Sequence, residues 1–161
     1  MRILLHIAVL IALTLAVASC SDESCSDNGS SLPLATFYVG DNQVTISALS
    51  IMGIGVPGDS VLADGASIKE AYLPLRASTT STSYRLWRTA SDGTTIVSDT
   101  VTLTYHAIEY FHSIECGAMY NFDIQDVIYT CHGIDSVVVL TPLITNSRTP
   151  ALRIHFSAQT L

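Results

Sequence analysis

From Leu32 onward, apolar and polar side chains alternate with the two-residue period of a β-strand. In the run from Val97 to Tyr105, Val97, Val101, Leu103 and Tyr105 share one face, while Ser98 and three threonines take the other. A strand with one dry and one wet side belongs to an antiparallel sheet packed on a single face. Leu152, Ile154 and Phe156 alternate in the same way with Arg153 and His155, as do Tyr120, Phe122 and Ile124 with Asn121 and Asp123. Further β-rich runs occupy 34–39, 44–49, 67–75, 81–89 and 136–144. Turn signals fall between them at Gly40-Asp41-Asn42, 53–59, Asp64-Gly65, Asp92-Gly93 and His132-Gly133. Beyond the N-terminal region no segment carries a capped 3.6-residue apolar period, so any helix is short. The pattern predicts an all-β protein, an antiparallel β-sandwich of about eight or nine strands, with a closed barrel as the competing architecture. Pro74 and Pro142 cannot donate to a ladder and are expected at edges or bulges.

The N-terminus follows a different rule. Arg2 precedes an apolar stretch, Ile3 to Val17, interrupted by His6 and Thr14 alone. About 15 residues is short for a spanning helix of roughly 20 and fits the apolar core of a secretory signal. Its end, Leu15-Ala16-Val17-Ala18-Ser19-Cys20, resembles the bacterial lipobox, in which small residues directly precede a cysteine that is then acylated. Two alternatives are a retained membrane anchor and an ordinary A-x-A cleavage site at Ala16-Val17-Ala18. On the lipoprotein reading residues 1–19 are removed and Cys20 is the lipid attachment site. Removing 19 of 161 residues leaves 142, and losing Arg2 moves the net charge from −7 to −8. Acylation with palmitate-like chains, at about 0.8 kcal/mol per buried methylene, makes such anchoring effectively permanent.

Residues 20–31 contain no apolar side chain other than cysteine and read as a polar tether, leaving 32–161 for one β-sandwich domain. Asp22-Glu23, just after the lipidated position, resembles the surface-export signal of Bacteroidetes-type lipoproteins. That implies the outer membrane, facing the medium; a merely soluble linker is the alternative. Export to the envelope also permits disulfides. With Cys20 acylated, Cys25, Cys116 and Cys131 remain, an odd number. If Tyr120–Ile124 and Val127–Cys131 form a hairpin turning at Gln125-Asp126, Cys131 faces Tyr120 and lies about 13 Å from Cys116. Bridged α-carbons are within roughly 7 Å. Cys25 with Cys116 is then the favoured disulfide, and Cys131 a buried free thiol.

Taken in order, these residues resemble an uncharacterised family of small Bacteroidetes-type lipoproteins, a domain of unknown function. The resemblance rests on Cys25 soon after the lipidated cysteine, on Tyr72-Leu73-Pro74-Leu75 and on Asp99-x-Val101-x-Leu103-x-Tyr105. It continues through Tyr110-Phe111-His112-Ser113-x-x-Cys116-Gly117 to the terminal Leu152-Arg153-Ile154-His155-Phe156. It implies cysteines at Cys25 and Cys116, in agreement with the pairing above, and leaves Cys131 outside the pattern. It implies no activity, substrate or catalytic residue.

The chemistry encoded along the chain is sparse. Phosphate-loop, H-E-x-x-H, G-x-S-x-G, C-x-x-C and calcium-loop signatures are absent from the sequence. Seven basic against 14 acidic residues disfavour a nucleic-acid partner. His106 and His112 share a strand face but stand about 20 Å apart, too far to hold one ion. No catalytic, cofactor-binding or metal residue is therefore assigned, and the expectation is a non-enzymatic structural or protein-interaction module of the envelope. Glycoside hydrolysis by paired carboxylates is the weakest alternative. A stronger one is carbohydrate binding on Trp87, Tyr105, Tyr110, Phe111 and Tyr120, where adjacent Tyr110 and Phe111 put one ring on each side of a strand. The partners expected are a membrane, through the lipid, and another envelope protein or a glycan. Asp59-Ser60-Val61, Asp99-Thr100-Val101 and Asp135-Ser136-Val137 match a D-[ST]-apolar acceptor, marking Ser60, Thr100 and Ser136 as candidate O-glycosylation sites.

Overall fold

The computed structural model describes residues 31–159 except 57–59, 91 and 115, and the backbone alone at His112. Among these residues the chain forms eleven strands and no helix. They are β1 (Leu34–Val39), β2 (Asn42–Gln43), β3 (Ile46–Ile54), β4 (Val61–Ile68), β5 (Glu70–Tyr72) and β6 (Ser81–Thr89). β7 (Ile96–Ser113), β8 (Gly117–Tyr129), β9 (Ile134–Val139), β10 (Leu143–Ile144) and β11 (Pro150–Phe156) follow. Eight strands have six residues or more; the run expected at 67–75 contains the short β5 and that at 136–144 ends on the short β10, whereas most of β4 and the two-residue β2 lie outside the expected runs. One sheet runs β2-β1-β11-β9, with β5 also on β1; the other runs β10-β8-β7-β6-β3-β4. All pairs are antiparallel except β1 with β11, which run parallel from Leu34↔Pro150 to Tyr38↔His155.

The two sheets share one core. Ala35, Phe37, Leu152, Ile154 and Phe156 from the first meet Ile46, Leu49, Ile51, Tyr84, Leu86, Val101, Leu103 and Tyr105 from the second. The architecture is sandwich-like, and the alternation in β11 and β6 survives intact: every second side chain is buried. Phe37 meets Phe156 edge-on at 5.6 Å, joining β1 to β11, and Tyr105 meets Phe122 edge-on at 5.3 Å, joining β7 to β8.

Two buried tyrosines fasten the irregular segment after β5. The Tyr105 hydroxyl accepts from the Arg76 N–H and donates to the Arg76 carbonyl, both at 3.0 Å, and meets the Thr82 hydroxyl at 2.6 Å. Tyr84 donates to the Pro74 carbonyl, and burial pushes its phenol pKa above the ordinary value. Pro74 and Pro142 both lie outside strands, where no ladder donor is missed.

Three expectations need correction. Gln125-Asp126 is not a turn: β8 continues through it. Thr104 pairs with Asp126 and Tyr105 with Ile124, leaving Gln125 as the extra residue of a bulge. Asp64-Gly65 is likewise inside β4, where Gly65 takes φ +55° and donates its N–H to Ser50 Oγ at 2.9 Å. Cys131 is free but exposed rather than buried, because β8 ends at Tyr129 and Cys131 lies in the loop to β9.

Candidate functional site

β7 and β8 form the longest hairpin, and its two halves differ. Up to Tyr105 on β7 and from Phe122 on β8, alternate side chains enter the core. Between them, from His106 to Asn121, no described residue is buried. About eight residues from Tyr105 to Ser113, at roughly 3.3 Å each, make an arm projecting some 26 Å past the core. The arm is nevertheless apolar. Ile108 is exposed on one face and Phe111 and Tyr120 on the other, while Phe111 and Ile114, near the end, are 69% and 88% exposed. Register explains the faces: Glu109 opposes Tyr120 and Phe111 opposes Ala118, so the Phe111 and Tyr120 rings are diagonal neighbours. Ser31, itself buried, donates to Asn121 Oδ1 at 2.8 Å. The described chain therefore joins the sandwich on this arm.

The second feature is a carboxylate inside the sandwich. Asp99 follows Val97 on the inward parity of β7 and is 4% exposed. Its Oδ1 accepts from the Thr130 hydroxyl (2.7 Å), the His132 N–H (2.8 Å) and the His132 ring (Nδ1, 3.1 Å). Its Oδ2 accepts from the N–H groups of Gly133 (2.7 Å) and Ile134 (3.0 Å). Burial pushes its pKa up, but the bonds from His132, Thr130 and Gly133 outweigh this and hold the carboxyl below its usual range. Five donors occupy the roughly four lone-pair sites of a carboxylate. Asp99 is thus an anchor for the β8–β9 loop.

Arg88, on the inward parity of β6, is 9% exposed, and its Nε and Nη1 are buried without hydrogen-bond partners. Together with Leu49, Leu86, Val97, Asp99 and Phe156 it lines a small cleft, far below the size of typical ligand pockets.

The residues singled out by sequence are dispersed. Tyr105 is fully buried. Trp87, half-buried beneath the Arg85 guanidinium at 5.2 Å, pairs with Ser98 on β7. Tyr110 lies twelve residues further along that strand, about 40 Å away. The five aromatic rings do not form one platform. His106 and His112 occupy β7, and among the described residues no three His, Cys, Asp or Glu side chains gather as a metal cage requires. Ser60 is exposed, whereas Thr100 and Ser136 are half-buried in β7 and β9. The acid before Thr100 is the occupied Asp99. Cys20 and Cys25 lie outside the described residues. Cys116 sits at the arm's turn, its N–H donating to Ser113 Oγ at 3.1 Å.

Sequence reading missed Asp99 and Arg88 as structural sites, though a charge at the apolar parity of each strand was the available signal. It also missed the arm, whose signal is apolar residues on both parities from Ile108 to Phe111.

Fold and sites together define an all-β, sandwich-like protein with a projecting hairpin. The profile of a family of unknown function, DUF6452, matches residues 48–156. The chain belongs to that family. No curated protein and no solved structure matches it.

Proposed function

We propose that the protein is a lipid-anchored lipoprotein of the bacterial outer membrane, attached through Cys20, serving as a non-enzymatic structural or protein-interaction module. The observation that carries this reading is the order basic residue, apolar run, small residues, cysteine across Arg2 to Cys20. Two features of the fold support it. The tether joins the sandwich through Ser31 on the hairpin arm, and among the described residues the outer edges of β4 and β9 are unpaired, with exposed Val61 and Val138 upon them, a surface suited to a protein partner. A disulfide between Cys25 and Cys116 completes the proposal. Cys116 is five residues, about 17 Å, from Asn121, and six residues separate Cys25 from Ser31, a reach of up to about 21 Å.

Detergent phase separation tests the anchor. Expressed in a host that processes lipoproteins, the wild type is expected in the detergent phase and Cys20→Ala in the aqueous phase. Equal partition of the two would refute acylation at Cys20.

A further inference from the structure

We infer that the tip of the β7–β8 hairpin, through Phe111 and Ile114, inserts into the interfacial region of the bilayer that holds the protein. The inference rests on the lipoprotein reading above. Exposed side chains of this size are ordinary when scattered. Here they crown an arm that makes no use of them: the core ends at Tyr105 and Phe122, and Phe111 and Ile114 lie beyond it at 69% and 88% exposure.

Three observations choose the occupant. First, the chain arrives on the arm itself, through the bond from Ser31 to Asn121, and not at the opposite end of the sandwich. The membrane-proximal end is therefore the arm's end. Second, the lengths match. Eleven residues from Cys20 to Ser31 reach at most about 37 Å, while the five residues from Ile108, which opposes Asn121, to Ser113 extend the arm about 17 Å. The tip can touch the surface in which Cys20 is embedded without stretching the tether. Third, the adjoining tether is poor in groups that could bury them, because Ser21 to Ser30 contains no apolar side chain other than Cys25.

The chemistry of contact is hydrophobic rather than electrostatic. Residues 106–121 include no lysine or arginine, and two glutamates. Attraction to anionic headgroups therefore contributes nothing, and insertion is driven by burying one aromatic and one branched aliphatic side chain at the acyl boundary. The acyl anchor makes this small contact effective by turning it into an intramolecular event at high local concentration. The result would be a fixed orientation of the sandwich relative to the membrane, with β4 and β9 free for a partner.

The test uses the full-length acylated protein in proteoliposomes whose lipids carry bromine near the headgroup end of the acyl chains. In a Trp87→Phe background a single tryptophan is placed at Phe111 (Phe111→Trp) or, as the remote comparison, at Val138 (Val138→Trp). Intact mass of each sample is read first, so that a missing acyl group identifies failure of the lipoprotein reading itself. With the acyl group present, bromolipid is expected to quench Phe111→Trp at least twofold and Val138→Trp by less than a tenth. The quenching should be the same in zwitterionic vesicles and in vesicles with added phosphatidylglycerol. Acylated protein with neither position quenched, or both quenched equally, overturns the inference and leaves the anchor standing. A Phe111→Trp emission already shifted to the blue before any vesicle is added, and unquenched afterwards, overturns it too, since the tip would then be covered by a second copy.

Discussion

Replacing Asp99 by alanine removes the acceptor for the entire β8–β9 loop, and the cost can be worked from the donors. The N–H groups of Gly133 and Ile134 both point at Oδ2 from buried positions. Each buried donor left without a partner costs about 1–3 kcal/mol. Thr130 and His132 are exposed, so their donors turn to water at little cost. The expected loss is therefore about 4 kcal/mol, a large share of the 5–15 kcal/mol by which domains are typically stable. Equilibrium urea denaturation with a fixed m-value measures it. Asp99→Asn keeps one acceptor oxygen but sets an amide donor against donors, and is expected to lose about 2–3 kcal/mol. The pH dependence has a definite sign. The folded pKa of Asp99 lies below its unfolded value, so its contribution is complete above about pH 4 and is lost as the pH falls through the folded pKa. The gap between wild type and Asp99→Asn should narrow in that acid range. An Asp99→Ala variant within 1 kcal/mol of wild type, or a gap that widens on acidification, would refute the anchoring role.

Three further substitutions probe other parts of the fold. Tyr105→Phe strips the hydroxyl that exchanges hydrogen bonds with Arg76 and Thr82, and thermal denaturation should record a loss of about 1–3 kcal/mol. Arg88→Met is expected to be neutral or to stabilise by up to about 1 kcal/mol, since the buried Nε and Nη1 have no partner to lose; destabilisation in urea would reveal one. Ala48, exposed in β3 at φ +53°, should gain about 0.5–1 kcal/mol on replacement by glycine, read as a raised midpoint with an unchanged m-value.

The strands most legible in the sequence are those whose two faces differ. The runs 34–39 and 81–89 coincide with β1 and β6, and the strict alternation from Leu152 marks all of β11 but its first two residues, because burial on one side forces a period of two. β4 was not legible: Ala63-Asp64-Gly65-Ala66-Ser67 lacks branched residues, and it is a strand because the edge of β3 supplies its partners. The hairpin at Gln125 fails for a related reason. A polar pair between two apolar runs is the same local signal whether the chain reverses or bulges, and the length of β7 decides which. The candidate sites were half legible. Cys20 is a matter of sequence order, whereas Asp99 and the hairpin tip depend on register, which brings Gly133, Ile134 and Thr130 to one carboxylate and leaves Phe111 beyond the core.

Acylation at Cys20 is tested most directly by the intact mass of the protein purified from membranes of its own kind of host. The expected mass is that of residues 20–161 plus a diacylglyceryl group and an amide-linked acyl chain, before any glycan at Ser60, Thr100 or Ser136. A mature mass beginning at Ser19, or a chain retaining residues 1–19 without lipid, would contradict it.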